Sequence, residues 1–315
     1  MDFIGLRQNI NEYIGVKTSG LPVEYNIISE EKCDGYSRVL IQYAGNENDL
    51  IPAYLLLPEG DGVFPAVLIH HQHNGERHYG KSEVCGLVGN TLQAFGPTLV
   101  KKGFIVLAPD SICFEDRRNN MKGIVQDGDN DFFQHFNEMC YRILNGSILM
   151  KKVIEDANIG IELLCSLNMV DNNRIGLLGH SYGGNTVLFQ AALNDKVKYA
   201  CSSGAACTYK NKMEYGTGIE MAEVIPGFSN HFDIPDLIKC IAPRKLLLVS
   251  ASDDKYSRDA DFIEKQGREV YKALGFNDNL EHYRYNGGHE LTQERYLAII
   301  QWIEEVANKH VMNFT

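Results

Sequence analysis

Along the first part of the chain the spacing of apolar residues changes twice. Leu6, Ile10 and Ile14 recur at helical spacing and predict a short amphipathic helix over about residues 3–16, within an N-terminal segment 1–20. VEYNIIS (23–29), SRVLIQYA (37–44) and LIPAYLLLP (50–58) are β-rich runs punctuated by Gly, Asn and Asp, which predicts an antiparallel start. FPAVLIH (64–70) and GFIVLAPD (103–110) are short and solidly apolar, and they bracket a helical stretch over about 91–102. That is the pattern of buried parallel strands joined by a crossover helix.

The alternation continues to the C-terminus. Residues 113–134 are polar and predict a long loop, followed by a helix starting near Phe136 or Ser147 and ending near Leu167. RIGLLGH (174–180), KYACSSG (198–204), KLLLVSA (245–251) and EHYRY (281–285) predict further strands. Helices are predicted over 186–193, 259–274 and 291–309. Residues 208–240, with Gly216, Gly218, Pro226, Gly227 and Pro235, read as an insertion over one end of the sheet. The expectation is an α/β fold with a mostly parallel central sheet, an antiparallel N-terminal edge and helices on both faces. No repeat or linker divides the chain, so one domain over 1–315 is expected, with 113–145 and 208–240 covering a pocket.

The sharpest chemical motif is Gly179-His180-Ser181-Tyr182-Gly183-Gly184, between an apolar strand and a helical pattern. The G-x-S-x-G spacing has a physical reason in that context. A serine on a tight, strained strand-to-helix turn needs small residues two before and two after it, so that strand and helix can approach. The turn also puts the serine at the positive end of a helix.

A serine is a weak nucleophile and needs a base oriented by a third group. On such a sheet the chain order is serine, acid, histidine. After the strand 245–250 come Asp253 and Asp254, and Asp253 is the predicted acid because it is the first carboxylate beyond the turn. Asp254 is predicted to stay solvated. After the strand 281–285 a Gly-Gly turn leads to His289, predicted to open a helix and to act as the base. Its competitors are weaker: His231 lies in the insertion, His282 within a strand and His310 near the C-terminus. Backbone donors for an oxyanion are expected from Tyr182 N–H and from the loop after FPAVLIH, with Gln72 N–H preferred over His71.

These segments resemble the α/β-hydrolase family, and within it the dienelactone hydrolase and acetyl xylan esterase-like group. The residues that carry the resemblance are HHQHNGERHYGKSE (70–83), APDSICFEDR (108–117), RIGLLGHSYGG (174–184), IAPRKLLLVSASDD (241–254) and NGGHE (286–290). The resemblance implies an α/β-hydrolase fold with loop insertions over the active site. It also implies cleavage of esters with small or medium acyl groups, acetylated sugars among them. Two departures matter. The oxyanion loop reads HHQHNG rather than the HG or HGGG of many relatives. The nucleophile is Ser181, where dienelactone hydrolases carry cysteine, which points to ordinary ester cleavage.

Composition narrows the field further. The 315 residues include 30 Lys+Arg and 41 Asp+Glu, a net charge of −11 with no basic run, so neither nucleic acid nor an anionic membrane is an expected partner. No apolar stretch reaches the roughly 18 residues of a membrane span. Asp2, Arg7 and Glu12 interrupt the N-terminus, so no signal peptide is read. Eight cysteines at irregular spacing suggest reduced, mostly buried thiols and a cytoplasmic protein. Small-molecule esters are the expected partners, and no cofactor is expected.

His70, His71, His73 and His78 invite a metal-dependent hydrolase, but Asn74, Gly75 and Glu76 stand where further ligands belong, and no HExxH is present. No metal is therefore expected, and the cluster reads as a polar loop at the mouth of the site. Lys81 and Glu83 read as a loop ion pair. A prolyl-oligopeptidase-like peptidase needs a large all-β domain, for which there is no room. A catalytically dead binding protein is disfavoured by the presence of all three triad residue types. Phe114, Phe132, Phe133, Tyr209, Tyr215, Phe228 and Phe232 are candidates to line the pocket or to pack the insertions, and Trp302 is expected in the core.

Overall fold

Nine of the apolar runs become strands, and they form one sheet. The computed structural model describes residues 3–17 and 23–308. The strands are β1 (Tyr25–Cys33), β2 (Tyr36–Ala44), β3 (Leu50–Pro58), β4 (Phe64–His70), β5 (Ile105–Pro109), β6 (Val170–His180), β7 (Tyr199–Ser203), β8 (Lys245–Ala251) and β9 (Leu280–Tyr285). Their order is β1-β2-β3-β5-β4-β6-β7-β8-β9. The pairs β1–β2, β2–β3 and β3–β5 are antiparallel, and every later pair is parallel. The mixed sheet with an antiparallel N-terminal edge is the predicted one.

The helices are α1 (Phe3–Ile14), α2 (Lys81–Val84), α3 (Phe95–Lys101), α4 (Asp129–Leu144), α5 (Leu149–Ser166), α6 (Tyr182–Leu193), α7 (Tyr209–Glu214), α8 (Ile234–Ile241), α9 (Ala260–Ala273) and α10 (Gln293–Asn308). They cover both faces because alternate residues of the central strands point in opposite directions. Ala66 and Leu68 of β4, Leu177 of β6 and Leu248 of β8 join the core that includes α1, α5, α6, α8 and α9. Val67, Ile69, Leu178 and Val249 join the core that includes α3 and α10. Strands buried on both sides read as unbroken apolar runs, which is why β4, β5 and β7 were legible. Trp302 is buried, its indole N–H bonded to Glu281 Oε1 at 2.7 Å.

The structure corrects three expectations. Of the two starts predicted for the helix ending near Leu167, Ser147 holds within two residues as α5, and a separate helix, α4, precedes it across Gly146 with φ +72°. The loop predicted to Gln134 therefore ends at 128. Residues 208–240 are not all an insertion over the sheet end, because α8 packs its Ile234, Leu237 and Ile238 into the main core beside α6. Pro235 starts that helix and Asp233 with Asp236 caps it, so the proline is a helix-start signal rather than a loop signal. His289 lies in a bend, and α10 opens four residues later at Gln293.

The parallel strands all end on one edge of the sheet. The loops after β4, β5, β6, β7, β8 and β9 bring Gln72, Ser111, Ser181, Gly204, Asp254 and His289 to that edge, where α/β sheets place their chemistry.

Candidate active site

Ser181 sits between β6 and α6 with φ 56° and ψ −121°. A residue with a side chain is rarely held there, so the turn must be enforced by its surroundings. The enforcing contacts are backbone against backbone. A Cβ on Gly179 would lie 2.3 Å from the Gly183 carbonyl carbon, and one on Gly183 would lie 2.2 Å from the His70 carbonyl oxygen. A Cβ on Gly184 would meet the Ser203 carbonyl oxygen at 2.6 Å. The small residues of the motif are thus required by the helix that follows (Gly179), by β4 (Gly183) and by β7 (Gly184), and Ser181 N–H closes the turn on Ser203 O at 2.8 Å.

His289 stands against the serine. Its Nε2 is 2.8 Å from Ser181 Oγ, and its Nδ1 is 3.0 Å from a carboxylate oxygen of Asp254. The predicted acid Asp253 is exposed and does not take this place. The reason is the turn that follows β8, which ends at Ala251 as its sequence suggested. Ser252 N–H and Asp253 N–H still bond Tyr285 O and Gly287 O, both at 2.9 Å. These bonds hold Ser252 and Asp253 in a turn closed by Asp254 N–H on Ala251 O at 3.4 Å, which leaves Asp253 exposed and Asp254 buried against His289. Asp254 also caps the following turn, accepting from Tyr256 N–H at 2.9 Å and Ser257 Oγ–H at 2.6 Å. The sequence signal was Asp-Lys-Tyr-Ser, an acid three residues before a hydroxyl at a turn start. Burial pushes the Asp254 carboxyl up, but bonds from His289, Ser257 and the Tyr256 amide outweigh it and hold it below its usual range.

Two more groups frame the imidazole. The His180 ring lies 4.9 Å from that of His289, tilted by 31°, and its Nδ1 is 2.9 Å from Ser203 Oγ. Burial first, and then the neighbouring His289, drives His180 down to about 3, so it stays neutral. Tyr256 packs edge-on to His289 with centroids 4.8 Å apart. Of the weaker candidates, His282 bonds Ser250 Oγ at 2.7 Å, His231 packs on Tyr13, and His310 lies outside the described residues.

On the other side of the serine, Tyr182 is the first residue of α6, where a backbone N–H has no partner within the helix. Gln72 is buried in the loop after β4, its side chain 3.2 Å from Glu83 Oε1. The histidines of that loop are committed to protein partners. His70 Nε2 meets Gln190 Oε1 at 2.7 Å, His71 lies between Gln72 O and Ser111 N, and His73 Nε2 meets Glu220 Oε2 at 2.6 Å. Burial holds His70 at about 4 and His71 at about 3. His78 packs on Tyr79, with Asp131 3.8 Å away. Among the described residues, the group whose ligand atoms converge as a metal would need is Asp110, Glu115 and Asp116. Lys81 Nζ already fills the space between them, at 2.8, 2.5 and 2.6 Å.

Lys81 and Glu83 are therefore not an ion pair with each other, because each has distant partners. The aromatic candidates also divide. Phe114 is buried against Tyr182 and His71, and Phe228 and Tyr209 are buried near each other. Phe232 packs on the core, while Phe132, Phe133 and Tyr215 are exposed. The segment 208–240 is tied to the elbow helix, since Asn185 of α6 donates to Glu223 at 3.2 Å and Lys212 pairs with Glu223 at 2.8 Å.

The fold is that of the α/β-hydrolases, with a serine on the elbow and a histidine beside it. An acetyl xylan esterase (AXE1) family model matches residues 118–226, which include the elbow. The Bacillus subtilis (strain 168) protein named "Putative hydrolase YtaP" is 29% identical over 279 residues, 85% of this chain and 87% of that one. A structure described as a putative acetyl xylan esterase from Bacteroides fragilis NCTC 9343 superposes with a TM-score of 0.75 at 16% identity, covering 90% of this chain and 74% of that one. Acetyl Xylan Esterase 1 from Thermoanaerobacterium sp. JW/SL YS485 superposes with a TM-score of 0.61 at 16% identity, covering 97% and 93%. The chain thus has the α/β-hydrolase fold and is similar, over residues 118–226, to the acetyl xylan esterases.

Proposed function

We propose that the chain hydrolyses esters of small or medium acyl groups, acetylated sugars among them, by two-step acyl transfer. The observation that carries this reading is one imidazole spanning 2.8 Å to Ser181 Oγ and 3.0 Å to Asp254. Ser181 attacks the ester carbonyl while His289 Nε2 takes its proton. Asp254 holds the Nδ1–H tautomer and stabilises the imidazolium that forms. The Tyr182 and Gln72 N–H groups bind the oxyanion, His289 returns the proton to the leaving alcohol, and water then releases the acid. The acyl preference rests on the match to acetyl xylan esterases and on the serine in place of cysteine.

The decisive experiment is Ser181→Ala. It should abolish both turnover of a nitrophenyl acetate and labelling by a serine-reactive phosphonate. Turnover that survives the change would remove the mechanism. An ester panel of rising acyl length, run beside acetylated xylo-oligosaccharides, tests the substrate. The highest kcat/KM should fall at acetyl, and a preference for long acyl chains would remove the acetyl reading.

A further inference from the structure

Three loops meet behind the site, and a chain of hydrogen bonds crosses all of them. Tyr182, at the start of α6, places its phenol 2.7 Å from Ser111 Oγ. Ser111 lies two residues past β5, and its N–H donates to His71 Nε2 at 3.1 Å. Because that nitrogen accepts, the ring proton sits on Nδ1, which donates to the Gln72 carbonyl at 2.8 Å. The far side of Gln72 is held as well, its amide donating to Glu83 Oε1 at 3.2 Å. The chain therefore begins on one residue assigned to the oxyanion and ends on the other.

Among the described residues, no other chain of hydrogen bonds joins these two residues. The elbow otherwise touches the β4 loop through apolar and backbone contacts: Tyr182 packs its ring 6.0 Å from that of His71 and 5.9 Å from that of His73, and Gly183 lies against the His70 and His71 carbonyls. Such a contact limits approach but does not set direction, whereas hydrogen bonds do. Ser111 is itself pinned from behind. Asp110 N–H bonds Pro52 O at 3.0 Å, Asp110 O accepts from Arg117 at 3.1 Å, and the Asp110 carboxylate meets Lys81 Nζ at 2.8 Å. The middle link is fixed to the body of the sheet, so it acts as a bracket and not as a tether.

We propose that Ser111 is a positioning residue that sets the two arms of the oxyanion site at a fixed separation, through Tyr182 on one side and His71 on the other. The proposal rests on the acyl-transfer reading above. Ser111 touches no reacting atom. Its effect is on the donors, whose stabilisation depends on where the developing oxyanion lies and not on where the ground-state carbonyl lies. Loss of the bracket should therefore appear in kcat with KM little changed.

The test is a cycle of Ser111→Ala, Tyr182→Phe and the double variant, assayed on one acetate ester and with a trifluoromethyl ketone as the tetrahedral mimic. Each single change should lower kcat about tenfold, well below the 10²–10³ of deleting a donor outright. The ketone should weaken by the same factor. The double variant should be no worse than the poorer single one, because both remove one bond. Ser111→Thr, which keeps the hydroxyl, should recover most of the activity. Tyr182→Phe removes one oxygen and keeps the ring, so it carries the test even if Ser111→Ala folds poorly. Unchanged kcat and ketone affinity in Tyr182→Phe, or a double variant at the product of the single losses, overturns the bracket. Ser181→Ala separates the two failures. If it is inert while Tyr182→Phe is unaffected, the bracket alone falls; if it turns over, the acyl-transfer reading falls with it.

Discussion

Around Ser181 the chain is positioned by side chains that are missing, and around Ser111 by charges that are buried. On the elbow half, Gly179, Gly183 and Gly184 let three backbone segments touch, and a Cβ at any of them would lie under 3 Å from a neighbouring backbone atom. On the loop half, Lys81 is 1% exposed with three carboxylates around its ammonium, and Arg118, fully buried, pairs with Asp131. Arg117 bonds Asp156 at 2.6 Å and also reaches Asp49, and Lys152 shares both acids. Steric enforcement is rigid and insensitive to pH. Charge enforcement depends on every partner being present, since a buried charge that loses its partner is costly. One half of the site thus tolerates no added atoms, and the other tolerates no lost ones.

The largest expected effect sharpens the elbow half. Asp254→Asn should lower kcat by about four orders of magnitude, as a misoriented triad imidazole does. Asp253→Asn should leave kcat near the parent value, because Asp253 is exposed and its backbone N–H bonds Gly287 O beyond β9. Steady-state rates on an acetate ester decide it, and the opposite ranking would return the acid to Asp253.

Next in size is a change that breaks the loop half. Lys81→Met leaves Asp110 and Glu115 buried without their cation. Burial, together with the charge of Glu115, already pushes the Asp110 carboxyl up against the pull of Lys81. The loss should be about 3–5 kcal/mol in urea unfolding, the range for breaking a buried pair. Lys101→Met is the control, since its partner Asp34 lies in solvent and the midpoint should barely move. Equal shifts in the two variants would mean that buried charge does not hold this loop.

The same contrast explains what the sequence could tell. The elbow was legible because its constraint is local: glycines two before and two after a serine, between a strand and a helix. The parallel strands were legible because double burial leaves an unbroken apolar run. The charge clusters were not, because most of their partners lie 13 to 103 residues apart in the chain. Helix α4 shows a different failure. Its buried residues are Asp131, Gln134, His135 and Met139, while Phe132, Phe133 and Phe136 are exposed. Apolar periodicity finds a helix by assuming apolar residues face inward. Here the inward face is polar because Arg118, Arg77 and the Cys113 carbonyl wait for it. Asp254 rather than Asp253 faces His289, because the turn after β8 decides which of the two adjacent carboxylates points inward, and the run KLLLVS does not encode that turn.

The smallest expected effect separates charge from hydrogen bonding within the loop half. Glu83 is 2% exposed, and one of its oxygens accepts from Gln72 Nε2–H at 3.2 Å and Asn90 N–H at 3.0 Å. No cation pairs with it among the described residues. Burial pushes its carboxyl above the usual 4.5, more strongly than those two bonds pull it down. The sign follows from linkage. A carboxyl whose folded-state pKa is raised costs the folded state stability once it must ionise, so the penalty grows as pH climbs from 4.5 through the folded value and is complete above it. Glu83→Gln keeps an acceptor oxygen and removes the charge. At neutral pH it should therefore raise Tm, by about 1–2 °C if the gain is near 1 kcal/mol. The gain should fade as the pH is lowered towards 4.5, where the parent carboxyl is protonated as well. Scanning calorimetry of both proteins between pH 4.5 and 7.5 reads the difference directly. A gain that stays constant across the range would assign it to packing, and a lowered Tm would show that Glu83 has a cationic partner in solution and belongs with Lys81 among the charges this loop needs.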